Sequence, residues 1–130
     1  MKNLDQRNKI IEYSLKLNST NLSPLRSGNI SLRSKEDNKD GYLITPSGKK
    51  YETLKPDDIV FMELNDEVKK DSVNKPSSEW RFHRDIYLNK KEAEAIVHAH
   101  SPHATAVSSH GKPIPPFHYM IALAGGEDIK

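Results

Sequence analysis

Two hydrophobic periods run along the chain. Across residues 5–17, Ile10, Ile11, Ser14, Leu15 and Leu17 lie among charged residues, the spacing of an amphipathic helix. Asn18-Ser19-Thr20-Asn21 and Ser23-Pro24 stop it. After a Ser27-Gly28-Asn29 turn, Ile30-Ser31-Leu32-Arg33 alternates apolar and polar, as a half-exposed strand does. A charged hairpin loop over residues 35–41 leads to a strand at Tyr42-Leu43-Ile44, which Thr45-Pro46-Ser47-Gly48 breaks. Residues 59–64 predict a third strand, entered through the polar turn Lys55-Pro56-Asp57-Asp58, and residues 65–75 predict a polar loop. Ser77-Ser78-Glu79 opens a helix with either serine as N-cap. Trp80, His83, Ile86 and Tyr87 share one face of that helix. Ala95-Ile96-Val97 is short, apolar and partly β-branched, so it predicts a buried strand, closed by Ser101-Pro102. Ala104 to Val107 forms a short helix, Ile114-Pro115-Pro116 a break, and residues 118–124 a last helix ended by Gly125-Gly126. Helix, strands, then helix–strand–helix predict a layered α/β domain.

Composition narrows the picture. The 130 residues suit one domain, 1–130. Lys plus Arg is 20 against 18 Asp plus Glu, a net charge of +2 with no dense basic run, so no nucleic-acid partner is expected. There is no cysteine, which excludes disulfides, thiolate zinc knots and cysteine nucleophiles and suits a cytoplasmic location. The first nine residues lack a signal-peptide core, and no apolar run approaches about 18 residues, so no membrane partner is expected. Only 35% of the residues are hydrophobic, polar enough to suggest that core partners are missing.

The candidate chemistry centres on His98 and His100. Positions i and i+2 of a strand share a face about 6.5 Å apart, so two imidazoles can converge on one ion at about 2.0–2.1 Å each. The ordinary alternative is a pair of strand histidines with structural hydrogen bonds. Zinc sites normally take a third protein ligand; His83, His103, His110 and His118 are weaker candidates. Glu79, at a helix start, is either a residue favoured by the helix dipole or a general base. Three clusters, Ser27-Gly28-Asn29, Thr45-Pro46-Ser47-Gly48 and Ser77-Ser78, are each ordinary turns or caps alone. Together they offer hydroxyls, an amide and open backbone N–H groups, a cradle for phosphate that needs no Lys or Arg. Tyr119 reads equally as core beside Phe117 and Met120 or as a phenolic proton donor.

In this order the motifs resemble the class II aldolase/adducin family, above all its branch that cleaves L-fuculose phosphate. The blocks that carry the likeness are residues 27–33, 43–48, 76–83, 95–100 and 116–122. Ser77-Ser78-Glu79-Trp80-Arg81-Phe82-His83 and His98-Ala99-His100 are the specific ones. The resemblance implies an α/β layered fold with a central, mainly antiparallel sheet flanked by helices, its C-terminal part missing. It implies a zinc-dependent aldolase cleaving a phosphorylated ketose, fuculose 1-phosphate-like, to dihydroxyacetone phosphate and an aldehyde through a metal-stabilised enediolate. His98 and His100 would then be zinc ligands and Glu79 the acid/base. Gly28, Asn29, Ser47, Gly48, Ser77 and Ser78 would hold the phosphate. Tyr119 would serve a neighbouring subunit's site in a homotetramer. The family takes its third zinc histidine from a downstream His-His-Gly stretch, and this sequence ends at Lys130 before one. The expectation is therefore a shortened domain with little or no aldolase activity on its own. Epimerases of the family carry Asp where this chain has Glu79. Dehydratase, decarboxylase and non-catalytic adducin-like readings stay open.

Overall fold

The computed structural model describes residues 1–24, 27–65, 74–124, 126 and 128–129. Among them, helix α1 (Leu4–Ser19) precedes strands β1 (Asn29–Glu36), β2 (Lys39–Ile44) and β3 (Val60–Glu63). Helix α2 (Trp80–Asn89), strand β4 (Ala95–His98) and helix α3 (Pro102–Ser108) follow, with 3-10 turns at Tyr51–Thr53, Pro56–Asp58 and Tyr119–Ala124. The strands form an antiparallel sheet in the order β3-β2-β1-β4. This is the expected α/β layered architecture. No helix among the described residues is long and apolar enough to cross a membrane.

Alternation along β1 and β2 feeds two layers. Ile30 and Leu43 meet Ile10 and Leu17 of α1, together with Ile59. On the opposite face Tyr42, Ile44 and Met62 meet Trp80 and Tyr87 of α2. Asn29 and Ser31, four and two residues before Arg33, therefore look toward α2 as well. Helix α1 buries Arg7, Ile10, Ser14 and Leu17, the i, i+3, i+7 repeat of one face. Leu15 falls off that stripe and is exposed.

Four details differ from the sequence reading. The hairpin loop expected over residues 35–41 is a two-residue turn. Pairing continues to Glu36↔Lys39, and Asp37 and Asn38 both take positive φ, 50° and 62°. That is the backbone of a tight hairpin turn, which Asx residues tolerate. Cross-strand Lys35–Asp40 at 2.9 Å uses charges that looked like loop. Second, β4 is an edge strand rather than a buried one. Ile96 packs against the α2 layer, while Val97 on the other face is 57% exposed. Third, α2 begins at Trp80, with Glu79 at the N-cap position and no side-chain cap. Ser77 still accepts the Glu79 N–H at 3.3 Å through its hydroxyl. The last helix is a 3-10 turn; Gly125, its expected end, and most of the 65–75 loop lie outside the described residues.

Two arginines tie the layers together. Arg33 on β1 donates to the Ala93, Tyr87 and Lys90 carbonyls at 2.8, 2.9 and 3.0 Å. These satisfy carbonyl groups orphaned around the end of α2. Arg7 donates to the Pro56 and Ile59 carbonyls and pairs with Glu36 at 2.7 Å, pinning α1 to the turn before β3.

Candidate active site

The site is built where three loops run together. Ser47 N–H donates to the Lys75 carbonyl and Ser77 N–H to the Thr45 carbonyl, each at 2.9 Å. This lays residues 45–48 beside residues 75–78. Thr45 also bridges to β1, its N–H donating to the Ile30 carbonyl at 3.0 Å and its hydroxyl accepting the Ile30 N–H at 3.3 Å. The Tyr51 hydroxyl closes the ring by donating to the Gly28 carbonyl. A cavity of about 360 Å³ results, and all six residues expected to hold phosphate line it: Gly28, Asn29, Ser47, Gly48, Ser77 and Ser78. Gly48 has φ +75°, a left-handed conformation that favours glycine. Ser47, Ser77 and Ser78 bring hydroxyl groups to this lining, a composition that suits an anion.

Lys49 and Tyr51 also line this cavity, and sequence reasoning passed over both. Lys49 Nζ pairs with Asp58 at 2.5 Å and with Asn74 Oδ1 at 3.0 Å. That hydrogen bond from Lys49 holds the Asp58 carboxyl below the usual carboxylate range. The cavity thus has a cation at its rim, contrary to a cradle without lysine.

The histidine strand lies against this pocket. A β-carbon on Gly28 would stand 2.5 Å from the His98 carbonyl oxygen and 2.7 Å from Ser23 Oγ, so only glycine fits. Fully buried Ser23 accepts the His100 N–H at 3.3 Å and bonds Ser27 at 3.0 Å. Nothing in the local sequence marks Ser23 for this. His98 ends β4 and His100 follows just beyond it, yet the two rings do converge. Their Nε2 atoms are 2.8 Å apart, and Glu79 Oε2 lies 3.5 Å from His98 Nε2. One donor atom from each of Glu79, His98 and His100 fits within a 4.8 Å span. Ligand atoms bound tetrahedrally at about 2.0–2.1 Å sit about 3.3 Å from one another. The Glu79–His98 separation already suits a zinc-sized ion, and the two imidazoles need to part by about half an ångström to share one.

Behind Glu79 stands a buried hydrogen-bonded row. Asn29 Nδ2 donates to Glu79 Oε2, and Asn29 Oδ1 meets His83 Nε2. His83 Nδ1 meets Ser31 Oγ at 2.7 Å, and Ser31 Oγ meets the Tyr87 hydroxyl at 2.8 Å. Burial, and then the nearby His98, lower the His83 pKa to about 4, against an opposing pull from Glu79. Burial raises the Tyr87 phenol to about 12. His83 is thus a neutral member of this row.

The chain does not bring Tyr119 to the pocket lining. It is 78% exposed, tilted against His118 with ring centroids 4.4 Å apart, and lines a separate hollow with Pro116 and Phe117. His103, His110 and His118 are exposed and outside the three-residue cluster.

Known proteins resemble this chain over nearly its whole length. The 5-methylthioribulose-1-phosphate/5-deoxyribulose-1-phosphate aldolase of Rhodospirillum rubrum is 43% identical over 95% of this chain and 53% of its own length. L-fuculose phosphate aldolase of Escherichia coli strain K12 is 44% identical over 95% of this chain and 57% of its own. A solved L-fuculose 1-phosphate aldolase superposes with a TM-score of 0.82 at 36% identity, covering 97% of this chain and 57% of that one. The L-fuculose-1-phosphate aldolase of Thermus thermophilus gives 0.71 at 27% identity, covering 92% and 59%. The chain spans little more than half the length of these relatives. The model of the class II aldolase and adducin N-terminal domain matches residues 8–130, and the chain belongs to that family.

Proposed function

We propose that this chain carries the metal and phosphate half of a lyase site that splits a phosphorylated ketose into dihydroxyacetone phosphate and an aldehyde. The observation that carries the reading is the contact between two constructions. Glu79, His98 and His100 gather their donor atoms within 4.8 Å, and Glu79 also lines the small-residue cavity. The aldolase names of the relatives support the same reaction class, with fuculose 1-phosphate, methylthioribulose 1-phosphate and deoxyribulose 1-phosphate as substrate candidates.

In this reading Ser47, Gly48, Ser77 and Ser78 hold the phosphate and fix the depth of the sugar chain. His98 and His100 hold zinc, with Glu79 the third donor when no substrate is bound. A bound zinc supplies a Lewis acid that polarises the substrate's oxygen atoms and stabilises negative charge there. Glu79 acts on carbon: it returns a proton to the dihydroxyacetone phosphate carbon in cleavage and removes it in condensation. Its carboxylate stands close to both the histidines and the pocket, as general-base catalysis requires. Tyr119, presented on the surface, takes the hydroxyl proton lost as the aldehyde forms in cleavage and returns it to the aldehyde oxygen in condensation, in the site of an adjoining subunit of a homotetramer. The cysteine-free sequence suits the cytoplasm, which we propose as the compartment. An adducin-like binding module would have no use for three converging donors beside a cavity with room for a small molecule.

Calorimetric titration with zinc tests this reading. One ion per chain is expected, with binding abolished by His98→Ala; equal binding by wild type and variant would overturn it.

A further inference from the structure

We propose that His83 is a positioning residue for Glu79, acting through the Asn29 carboxamide as a neutral imidazole with its proton on Nε2. The proposal rests on the reading of Glu79 as the acid/base beside the metal. It follows from donor and acceptor chemistry. A carboxylate only accepts, so the Asn29 amide nitrogen is the atom that faces Glu79 Oε2. The Asn29 oxygen is then turned to His83 Nε2, and that nitrogen must donate. A neutral ring has one proton, so Nδ1 accepts from the Ser31 hydroxyl at 2.7 Å. Ser31 Oγ in turn accepts from Tyr87 at 2.8 Å. Every link points the same way, from Tyr87 to Glu79.

The row is built to be rigid. His83, Ser31 and Tyr87 are at most 1% exposed and Asn29 is 4% exposed, so solvent has little access to the bonds between them. Phe82 stacks on His83 at 4.5 Å and meets His98 edge-on at 5.2 Å, holding the two histidines apart. Asn29 and Ser31 come from one face of β1, and His83 and Tyr87 from one face of α2. The sheet–helix packing itself therefore sets where the carboxylate sits. Asn29 spends its oxygen and one amide hydrogen on this task, which leaves one hydrogen for a ligand in the cavity. A flipped His83 tautomer would set two acceptors face to face at Asn29 and release Glu79.

Two measurements test this on the 130-residue chain. Nitrogen-15 spectra of the metal-free protein report the protonated nitrogen of each imidazole; a single Nε2–H form is expected for His83, and an Nδ1–H form or an averaged ring overturns the proposal. Zinc titration of His83→Phe is expected to show about 10-fold weaker binding, the usual effect of losing an outer hydrogen bond to a ligand. His83→Gln, which keeps a donor toward Asn29, is expected to restore most of it. Equal affinity of folded His83→Phe and wild type overturns the proposal. Should His83→Phe not fold, Ser31→Ala is the second break: it leaves every side chain of the site in place, removes the donor to His83 Nδ1 and is expected to weaken zinc binding. An unchanged affinity there counts against the relay. Wild type binding no zinc would instead defeat the reading of the site, and the tautomer spectrum alone would then decide the relay.

Discussion

Acid should weaken the fold through His83 within a defined pH window. The side chain has no exposed surface, and its pKa falls from 6.5 to about 4 on folding, chiefly through burial. Above pH 6.5 it is neutral whether the chain is folded or not, and its contribution is complete. As the pH falls further, the unfolded chain takes up a proton that the folded chain refuses, and stability drops. Below about pH 4 both states are protonated and the loss levels off. A shift of this size, at about 1.4 kcal/mol per unit, amounts to about 3 kcal/mol. That is a large share of the 5–15 kcal/mol typical of a domain, as an order of magnitude about a third. The comparison is metal-free wild type against His83→Gln, which keeps a donor to Asn29 and cannot titrate. Urea unfolding from about pH 7.5 to about pH 4 should show wild type losing about 3 kcal/mol more than the variant. The remaining titrating groups are common to both proteins and cancel. Parallel stability curves would refute the reasoning, because they would mean that His83 charges freely in the folded chain.

Further substitutions test other links. Gly28→Ala drives a methyl into the His98 carbonyl; it should cost about 1–3 kcal/mol and lower zinc affinity, and an unchanged thermal midpoint would contradict the close approach. Tyr42→Phe removes the 3.0 Å hydrogen bond to the Trp80 carbonyl in the first turn of α2, and urea midpoints should report a loss of about 1–2 kcal/mol. Arg33→Met keeps most of the stem but strips the donors from the Tyr87, Lys90 and Ala93 carbonyls; hydrogen exchange should speed up in the last turn of α2, with about 2 kcal/mol lost overall.

The parts of the fold that were legible in the sequence are those set by local periodicity. Ile30 and Leu32, Tyr42 and Ile44, and the Trp80–His83–Tyr87 face all declare themselves by spacing, and the structure buries or half-buries each where that spacing puts it. What stayed hidden depends on partners far along the chain. The Ala95-Ile96-Val97 run gives no sign that only one of its faces is covered, because burial of an apolar strand is decided by what packs on it. Lys35, Glu36, Lys39 and Asp40 look like loop until their pairing across the hairpin is known. At the site, the three small-residue clusters and the two histidines could be picked out residue by residue. Ser23, Tyr51 and the Asn29–His83–Ser31–Tyr87 row could not. Asn29 reads as a turn and His83 as a helix face, and 54 residues separate them. Tyr119 is a different case, since its exposed ring finds no place in the pocket lining of its own chain.

The most direct test is to crystallise the chain with zinc and locate the ion by its anomalous scattering. A single strong peak is expected at about 2.0–2.1 Å from Nε2 of both His98 and His100, with a Glu79 oxygen completing the protein ligands. A peak on His103, His110 or His118 instead, or none within reach of Glu79, would contradict a metal centre in this position.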